Sequence, residues 1–163
     1  MNSRDDNIIL AYGGNDTITA SSSGTYNDTI YGGDADDILE GGLGADLIFG
    51  GAGDDTLKGG AGDDTFDGGD GIDTVDYSSI SKVGDGSTNG ITVNLEDQFT
   101  STSATVIING GDNDTLKNIE NIIGTQNNDT ITASRSVNVL KGESGNDSLY
   151  GVTGNDYLYG GDG

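Results

Sequence analysis

Gly41-Gly42-Leu43-Gly44-Ala45-Asp46-Leu47-Ile48-Phe49, Gly50-Gly51-Ala52-Gly53-Asp54-Asp55-Thr56-Leu57-Lys58 and Gly59-Gly60-Ala61-Gly62-Asp63-Asp64-Thr65-Phe66-Asp67 are three consecutive copies of one nonapeptide, G-G-x-G-x-D-x-U-x, with U a large apolar residue. Outward from these copies, aspartate recurs at 28, 37, 46, 55, 64 and 73 without a slip. A short fixed period marks a repeat architecture, in which each unit buries its apolar face only against its neighbours. The last three residues of a unit, x-U-x, form a minimal strand whose central side chain points opposite to its flanks. The U residues Ile8, Ile18, Ile30, Leu39, Ile48, Leu57, Phe66, Val75, Ile131, Leu140, Leu149 and Leu158 are therefore expected to face inward. Two units complete a coil with one strand on each of two facing parallel sheets and a glycine-rich loop at either edge. Each coil adds one strand spacing of about 4.8 Å. The expected fold is all-β, a right-handed parallel β-roll.

Composition says what this roll needs. The chain has 163 residues, 28 acidic against 6 basic, a net charge of −22, 30 glycines and only 31% hydrophobic residues. Low hydrophobicity with high net charge is the signature of a chain that does not collapse unaided. The carboxylates must be neutralised before the roll closes. Cysteine and histidine are absent, so disulfides are excluded and the usual zinc, copper and iron ligands are missing. Carboxylates, amides and backbone carbonyls remain, and these suit a hard cation, calcium or magnesium. The same acidity argues against nucleic acid or an anionic membrane surface as partner. No N-terminal apolar run resembles a signal peptide, and no segment approaches membrane-spanning length.

The spacing places the acidic ligands. Glycine at positions 1, 2 and 4 lets the backbone reach φ > 0 and bring carbonyls close together. Position 6 then supplies a carboxylate. Alternate loops share an edge, so an ion is expected between aspartates 18 apart: Asp28/Asp46, Asp37/Asp55, Asp46/Asp64 and Asp55/Asp73. Four such ions would reduce the net charge of −22 to about −14. Asp34, Asp36, Asp54 and Asp63 fall at positions 3 or 5 and are expected to be solvated rather than ligating.

Three stretches differ in character. Residues 1–77 hold the first repeat block, irregular at its start, where Asp6, Asp16 and Asp28 are spaced by ten and then twelve, with Ala20–Gly24 as the expected bulge. Residues 78–123 break the period. Ile91-Thr92-Val93-Asn94-Leu95 alternates as a half-buried strand should, Val106-Ile107-Ile108 is a short apolar run, and Asp114-Thr115-Leu116 resembles one more repeat. Loops are expected over 82–90 and 97–103. This stretch is too apolar for a linker and is expected to pack against or extend the roll. Residues 124–163 resume the period at Asp129, Asn138, Asp147 and Asp156 as a second block. Asp129/Asp147 is an expected site, Asn138/Asp156 a weaker one because an amide replaces a carboxylate. The chain stops partway through a repeat, so a longer parent protein is expected.

The nonapeptides resemble the calcium-binding repeat of the RTX (repeats-in-toxin) family. The flank Gly71-Ile72-Asp73-Thr74-Val75-Asp76-Tyr77-Ser78, with Ile91–Leu95 and Asn118-Ile119-Glu120-Asn121-Ile122-Ile123-Gly124-Thr125, is similar to the segments between repeat blocks in large RTX toxins such as adenylate cyclase toxin. The resemblance implies several Ca²⁺ ions, each completed to roughly six oxygen ligands by backbone carbonyls. Carried over, those carbonyls belong to Gly42, Gly44, Gly51, Gly53, Gly60, Gly62, Gly69 and Gly71. It further implies a secreted bacterial protein, exported through a type I channel and folding on calcium outside the cell, where extracellular calcium modules have dissociation constants of about 0.1–1 mM.

Rival readings fare worse. Asp112-Asn113-Asp114 and Asp34-Ala35-Asp36 lack the glycine and terminal glutamate of an EF-hand, and no Lys-Ser/Thr follows a glycine loop as a phosphate cradle needs. The Asn-x-Ser/Thr sequons, such as Asn27-Asp28-Thr29, are simply positions 5, 6 and 7 of the repeat. Without histidine or cysteine the serines lack an ordinary base and there is no thiol nucleophile, so no enzyme is expected here. Proline is also absent, which excludes the Asp-Pro self-cleavage of some RTX modules. Tyr31 and Phe49, 18 apart at position 9, are expected to stack on an outer face, with Tyr150, Tyr157 and Tyr159 also outward. A glycan- or protein-binding module using those aromatics is the alternative function.

Overall fold

A computed structural model describes residues 6–20, 24–80, 89–95, 103–108 and 111–163, and all regular structure among them is strand. In chain order the strands are β1 (Ile8–Gly13), β2 (Thr17–Thr19), β3 (Thr29–Asp34), β4 (Ile38–Leu43), β5 (Leu47–Ala52), β6 (Thr56–Ala61), β7 (Thr65–Asp70) and β8 (Thr74–Asp76). They continue as β9 (Asn89–Asn94), β10 (Ala104–Ile108), β11 (Asn113–Lys117), β12 (Asn121–Ile123), β13 (Asn128–Thr132), β14 (Val139–Lys141), β15 (Ser148–Tyr150) and β16 (Tyr157–Tyr159). Successive strands of the repeats alternate between two sheets. One has the order β1-β3-β5-β7-β11-β10-β9-β13-β15, the other β16-β14-β12-β8-β6-β4-β2. This is the parallel solenoid that the nine-residue period requires.

Register follows the U positions. Ile30, Ile48, Phe66 and Leu116 align across one sheet, and Leu39, Leu57, Val75, Ile122 and Leu140 across the other. All nine are completely buried. Each such side chain contributes about 1.5–3 kcal/mol on burial, and the repeat interior is two facing rows of apolar residues, one from each sheet. A one-residue slip would turn every one of them outward, which is why the register is firm.

The ends depart from expectation. Ile8 is 73% exposed, and Ile9 instead aligns with Ile30 and packs on the core. The reason is that Asn7, rather than Asp6, occupies position 6. Its carbonyl accepts from the Thr29 N–H just as the Asp28 carbonyl accepts from Leu47. The early spacing is thus nine and then twelve, the extra residues falling between Asp16 and Asp28. Leu158 is 45% exposed, and Ile18 and Leu149 are only partly buried, because their strands end the sheets and have a neighbour on one side alone.

The middle stretch extends the roll. Strand β11 runs parallel to β7, β10 lies antiparallel between β11 and β9, and β9 runs parallel to β13. Strand β12 continues the other sheet between β8 and β14. The antiparallel excursion accounts for nine strands facing seven. Ile91, Val93, Leu95, Ala104, Val106 and Ile108 are buried by it, while Ile107 points outward, as alternation predicts. Most of the loops expected over 82–90 and 97–103, and the centre of the 20–24 bulge, lie outside the described residues; Asn89 and Gly90 already belong to β9.

Candidate metal centre

Each repeat strand is followed by its glycine-rich turn, and the turns stack along both edges of the roll. Position-2 glycines 33, 42, 51, 60 and 69 have φ of 107–124°, and position-4 glycines 44, 53, 62 and 71 have φ of 121–147°. These are backbone conformations that side chains oppose. They also pack backbone on backbone: a Cβ on Gly60 would overlap the Gly42 carbonyl, and one on Gly62 the Gly44 carbonyl. All eight glycines whose carbonyls were expected at an ion lie in these stacks. Among the described residues, no hydrogen bond ends on the carbonyls of Gly44, Gly53, Gly62 or Gly71.

The position-6 carboxylates form two ladders. On one edge the N–H of Asp28 donates to Asp46 Oδ1 at 2.7 Å, Asp46 to Asp64 at 2.8 Å and Asp64 to Asp114 at 2.9 Å. On the other, Asp16 donates to Asp37 at 2.8 Å, Asp37 to Asp55 at 2.8 Å, Asp55 to Asp73 at 2.9 Å and Asp73 to Glu120 Oε2 at 2.9 Å. The pairs Asp28/Asp46, Asp37/Asp55, Asp46/Asp64 and Asp55/Asp73 are thus direct neighbours across one coil. Asp129 and Asp147 are joined the same way at 2.9 Å.

One oxygen satisfies the backbone; the other is left over. Oδ2 of Asp16, Asp37, Asp46, Asp55, Asp64, Asp73 and Asp147 is buried without a hydrogen-bond partner. Asp37, Asp46, Asp55, Asp64 and Asp73 are themselves no more than 2% exposed. Each of these five Oδ2 atoms borders the place where a Cβ on its own position-1 glycine would sit, Gly32, Gly41, Gly50, Gly59 and Gly68 respectively. A buried carboxylate oxygen with nothing to accept from is expensive. A cation removes the expense. The donor set is oxygen only, carboxylate plus carbonyl, which is the chemistry of calcium. No three acidic side chains gather among the described residues, so any ion must lean on backbone carbonyls.

Burial sets the protonation of these groups. It pushes the Asp64 carboxyl up to about 8, against the hydrogen bond from Asp46 and assisted by the charge of Asp114. Asp73 is pushed to about 7 and Asp114 to about 6, again by burial first. Asp46, Asp55 and Asp129 are raised in the same sense. Tyr77, buried with its hydroxyl beside Asp114 but not in sound hydrogen-bond geometry, is raised well above the ordinary phenol range by burial and then by that charge.

Three positions are built differently. Asp28 Oδ1 accepts from the Asn7 N–H and side-chain amide. Both oxygens of Asp129 are taken: Oδ1 by the Ile91 N–H and Thr125 hydroxyl, Oδ2 by the Thr125 N–H. Asn138 is fully buried, its Oδ1 accepting from the Ser134 N–H and hydroxyl and its amide donating to the Glu120 carbonyl. Its N–H donates to Asp156 Oδ1 at 3.0 Å, and Asp156 lies near the end of the roll. Asp16, Asp114 and Glu120 join the ladders without having been singled out as ligands. The signal was present: each stands two residues before an apolar residue, Ile18, Leu116 and Ile122, as position 6 stands before U. Asp36, Asp54 and Asp63 accept the N–H of Asp54, Ile72 and Asn113 rather than only meeting solvent.

A family profile described as the RTX calcium-binding nonapeptide repeat (4 copies) matches residues 3–23, 22–48, 40–75, 119–148 and 136–163. The chain belongs to the RTX repeat family. A search of curated proteins found no matching sequence. The RTX repeats bind calcium, and the leftover Oδ2 atoms of this chain fit that ion. Ligands from this chain would be the position-6 carboxylates and the carbonyls of the stacked glycines. Bound calcium would supply positive charge where folding gathers negative charge. Proteins of the family are generally secreted, and no helix among the described residues is long and apolar enough to cross a membrane.

Proposed function

We propose that this segment is a calcium-gated folding module, unfolded while calcium is scarce during type I export and closing into the roll outside the cell. The observation that carries this reading is the row of buried Oδ2 atoms without partners in Asp37, Asp46, Asp55, Asp64 and Asp73. A net charge of −22 and a thin interior of one apolar row per sheet give the metal-free chain little reason to close. Binding free energy then becomes folding free energy. On this reading the role of the segment is calcium-driven folding rather than catalysis. Circular dichroism during a calcium titration tests this: a coil spectrum in chelator should convert to strand as calcium rises through the range of about 0.1–1 mM. A full strand spectrum in chelator at neutral pH overturns it.

A second reading rests on the outer face. Tyr31 and Phe49 stack with centroids 4.7 Å apart and planes 5° from parallel, and Tyr31 is 41% exposed. Flat aromatic pairs of this kind suit the apolar face of a sugar ring. A glycan array with the calcium-loaded chain separates this reading from a purely structural role.

A further inference from the structure

The edge that carries Asp37, Asp55 and Asp73 has a recurring oxygen arrangement. The space that a Cβ on Gly32 would fill is bordered by Asp37 Oδ2 and the carbonyl of Gly50, the position-1 glycine of the next coil. On Gly50 it is bordered by Asp55 Oδ2 and the Gly68 carbonyl. On Gly68 the pattern persists although the repeats have ended: Asp73 Oδ2 is joined by the carbonyl of Asn118. Asp73 is 0% exposed and its Oδ2 has no hydrogen-bond partner. Its N–H and carbonyl are held by Glu120: the N–H donates to Glu120 Oε2 at 2.9 Å, and the Glu120 and Asn121 N–H groups donate to the Asp73 carbonyl at 3.1 and 2.9 Å. Residues 47 apart in sequence thus rebuild the oxygen arrangement of a repeat rung. A glutamate stands where the repeat has aspartate, and a non-glycine carbonyl where the repeat has glycine.

We propose that Asp73, the Asn118 carbonyl and Glu120 form a further divalent-cation site, which clasps the two ends of the 74–119 excursion and fastens the second repeat block to the first. This rests on the reading of the regular rungs as calcium sites, but it names a site that the nonapeptide pattern does not contain. Its position gives it a distinct task. The regular ions join neighbouring coils of one block. This ion joins β8 to β12, so it couples the closing of β12 and β14 to a first block that is already folded. The two carboxylates also explain why an ion is needed there: half-buried Glu120 accepts from the N–H of fully buried Asp73, and the neighbouring charges of Asp54 and Asp55 that act on the pair are negative.

The test uses the full chain and calcium itself. Glu120→Gln keeps an oxygen to accept from the Asp73 N–H and removes the charge. Isothermal titration should show one ion fewer than the wild-type chain, with Glu120→Asp restoring the count. Hydrogen exchange at intermediate calcium should show β12 and β14 losing protection in Glu120→Gln while β4 and β6 keep theirs. Anomalous scattering from wild-type crystals grown in calcium gives a check that no folding defect can confuse: a peak bounded by Asp73, Asn118 and Glu120 supports the site. Ions along Asp37–Asp55 with none at Asp73–Glu120, or an unchanged count in Glu120→Gln, overturns this inference and leaves the regular sites standing. A wild-type chain that binds no calcium overturns both.

Discussion

Single positions on the edge turns carry strain that can be read from φ. Position 2 is glycine in the strict repeats, yet it is Tyr12, Glu143 and Val152 elsewhere, with φ of 85°, 71° and 55°; position 4 is Ala35 at 80°. Left-handed backbone costs a residue with a Cβ about 1–2 kcal/mol, and a β-branched side chain is worst placed there. Val152→Gly should therefore raise the stability of the calcium-loaded chain by about 1 kcal/mol, partly offset by the entropy of glycine, and thermal unfolding in excess calcium measures it. The reverse change is harsher. Gly60→Ala sets a methyl at φ 107° against the Gly42 carbonyl, and a loss of about 2–4 kcal/mol is expected from strain and overlap together. A neutral result in denaturant unfolding would mean that the stacked turns are looser than this geometry.

Strands and turns show which parts of the architecture the sequence announces. Where the period is strict, between Asp28 and Asp73, every U residue falls inward and every position-6 aspartate enters a ladder, because one-residue register errors would expose the whole apolar file. The Ile8 expectation failed because two adjacent isoleucines and Asp6-Asn7 leave two registers open, and only pairing with β3 decides between them. The β9–β11 meander was legible as strands but not in its partners, since pairing across the 74–119 excursion is tertiary. Asp129 shows the same limit: its position in the repeat is regular, while Ile91, which holds Oδ1, comes from outside the repeat block, and Thr125, which holds both oxygens, stands at position 2 where the strict repeats have glycine. A second ladder is not announced by the nonapeptide pattern. Position-5 side chains Asn27, Asp36, Asp54 and Asn128 accept the position-5 N–H of the next coil at 2.8–2.9 Å. Ala45 breaks this row, so Ala45→Asn should supply an acceptor for the Asp63 N–H and stabilise the roll by about 0.5–1 kcal/mol. Asp54→Ala should cost a similar amount through the lost bond to Ile72. Paired calcium-loaded melts check both, and opposite signs are the expected outcome.

At the scale of the whole roll, protons and calcium compete for the same carboxylates, and the direction follows from where the folded groups titrate. Unfolded aspartates ionise near the ordinary value of 3.8, whereas folded Asp64, Asp73 and Asp114 are pushed by burial to about 8, 7 and 6. Between these limits the folded metal-free roll holds more protons than the unfolded chain. Its stability is therefore greatest at the acid end of the window and is lost as pH rises through the folded values. Lowering the pH from about 8 to about 5 in chelator should shift the metal-free chain toward strand, with protons doing part of the work of calcium. The same linkage reverses for the ion. Calcium must displace those protons from the folded roll, so its affinity for the folded form should fall as pH falls from about 8 to about 6, whereas the unfolded chain, already ionised there, has none to give up. Monovalent salt should not substitute, because screening acts on exposed charges while these carboxylates are buried. Dichroism at several pH values, with and without chelator, reads the acid and salt effects, and isothermal titration in buffers of different ionisation enthalpy reads the protons that calcium releases. A chelated chain that loses strand on acidification across that window would show that folding does not bury these carboxylates, and the calcium-gated roll would lose its driving force.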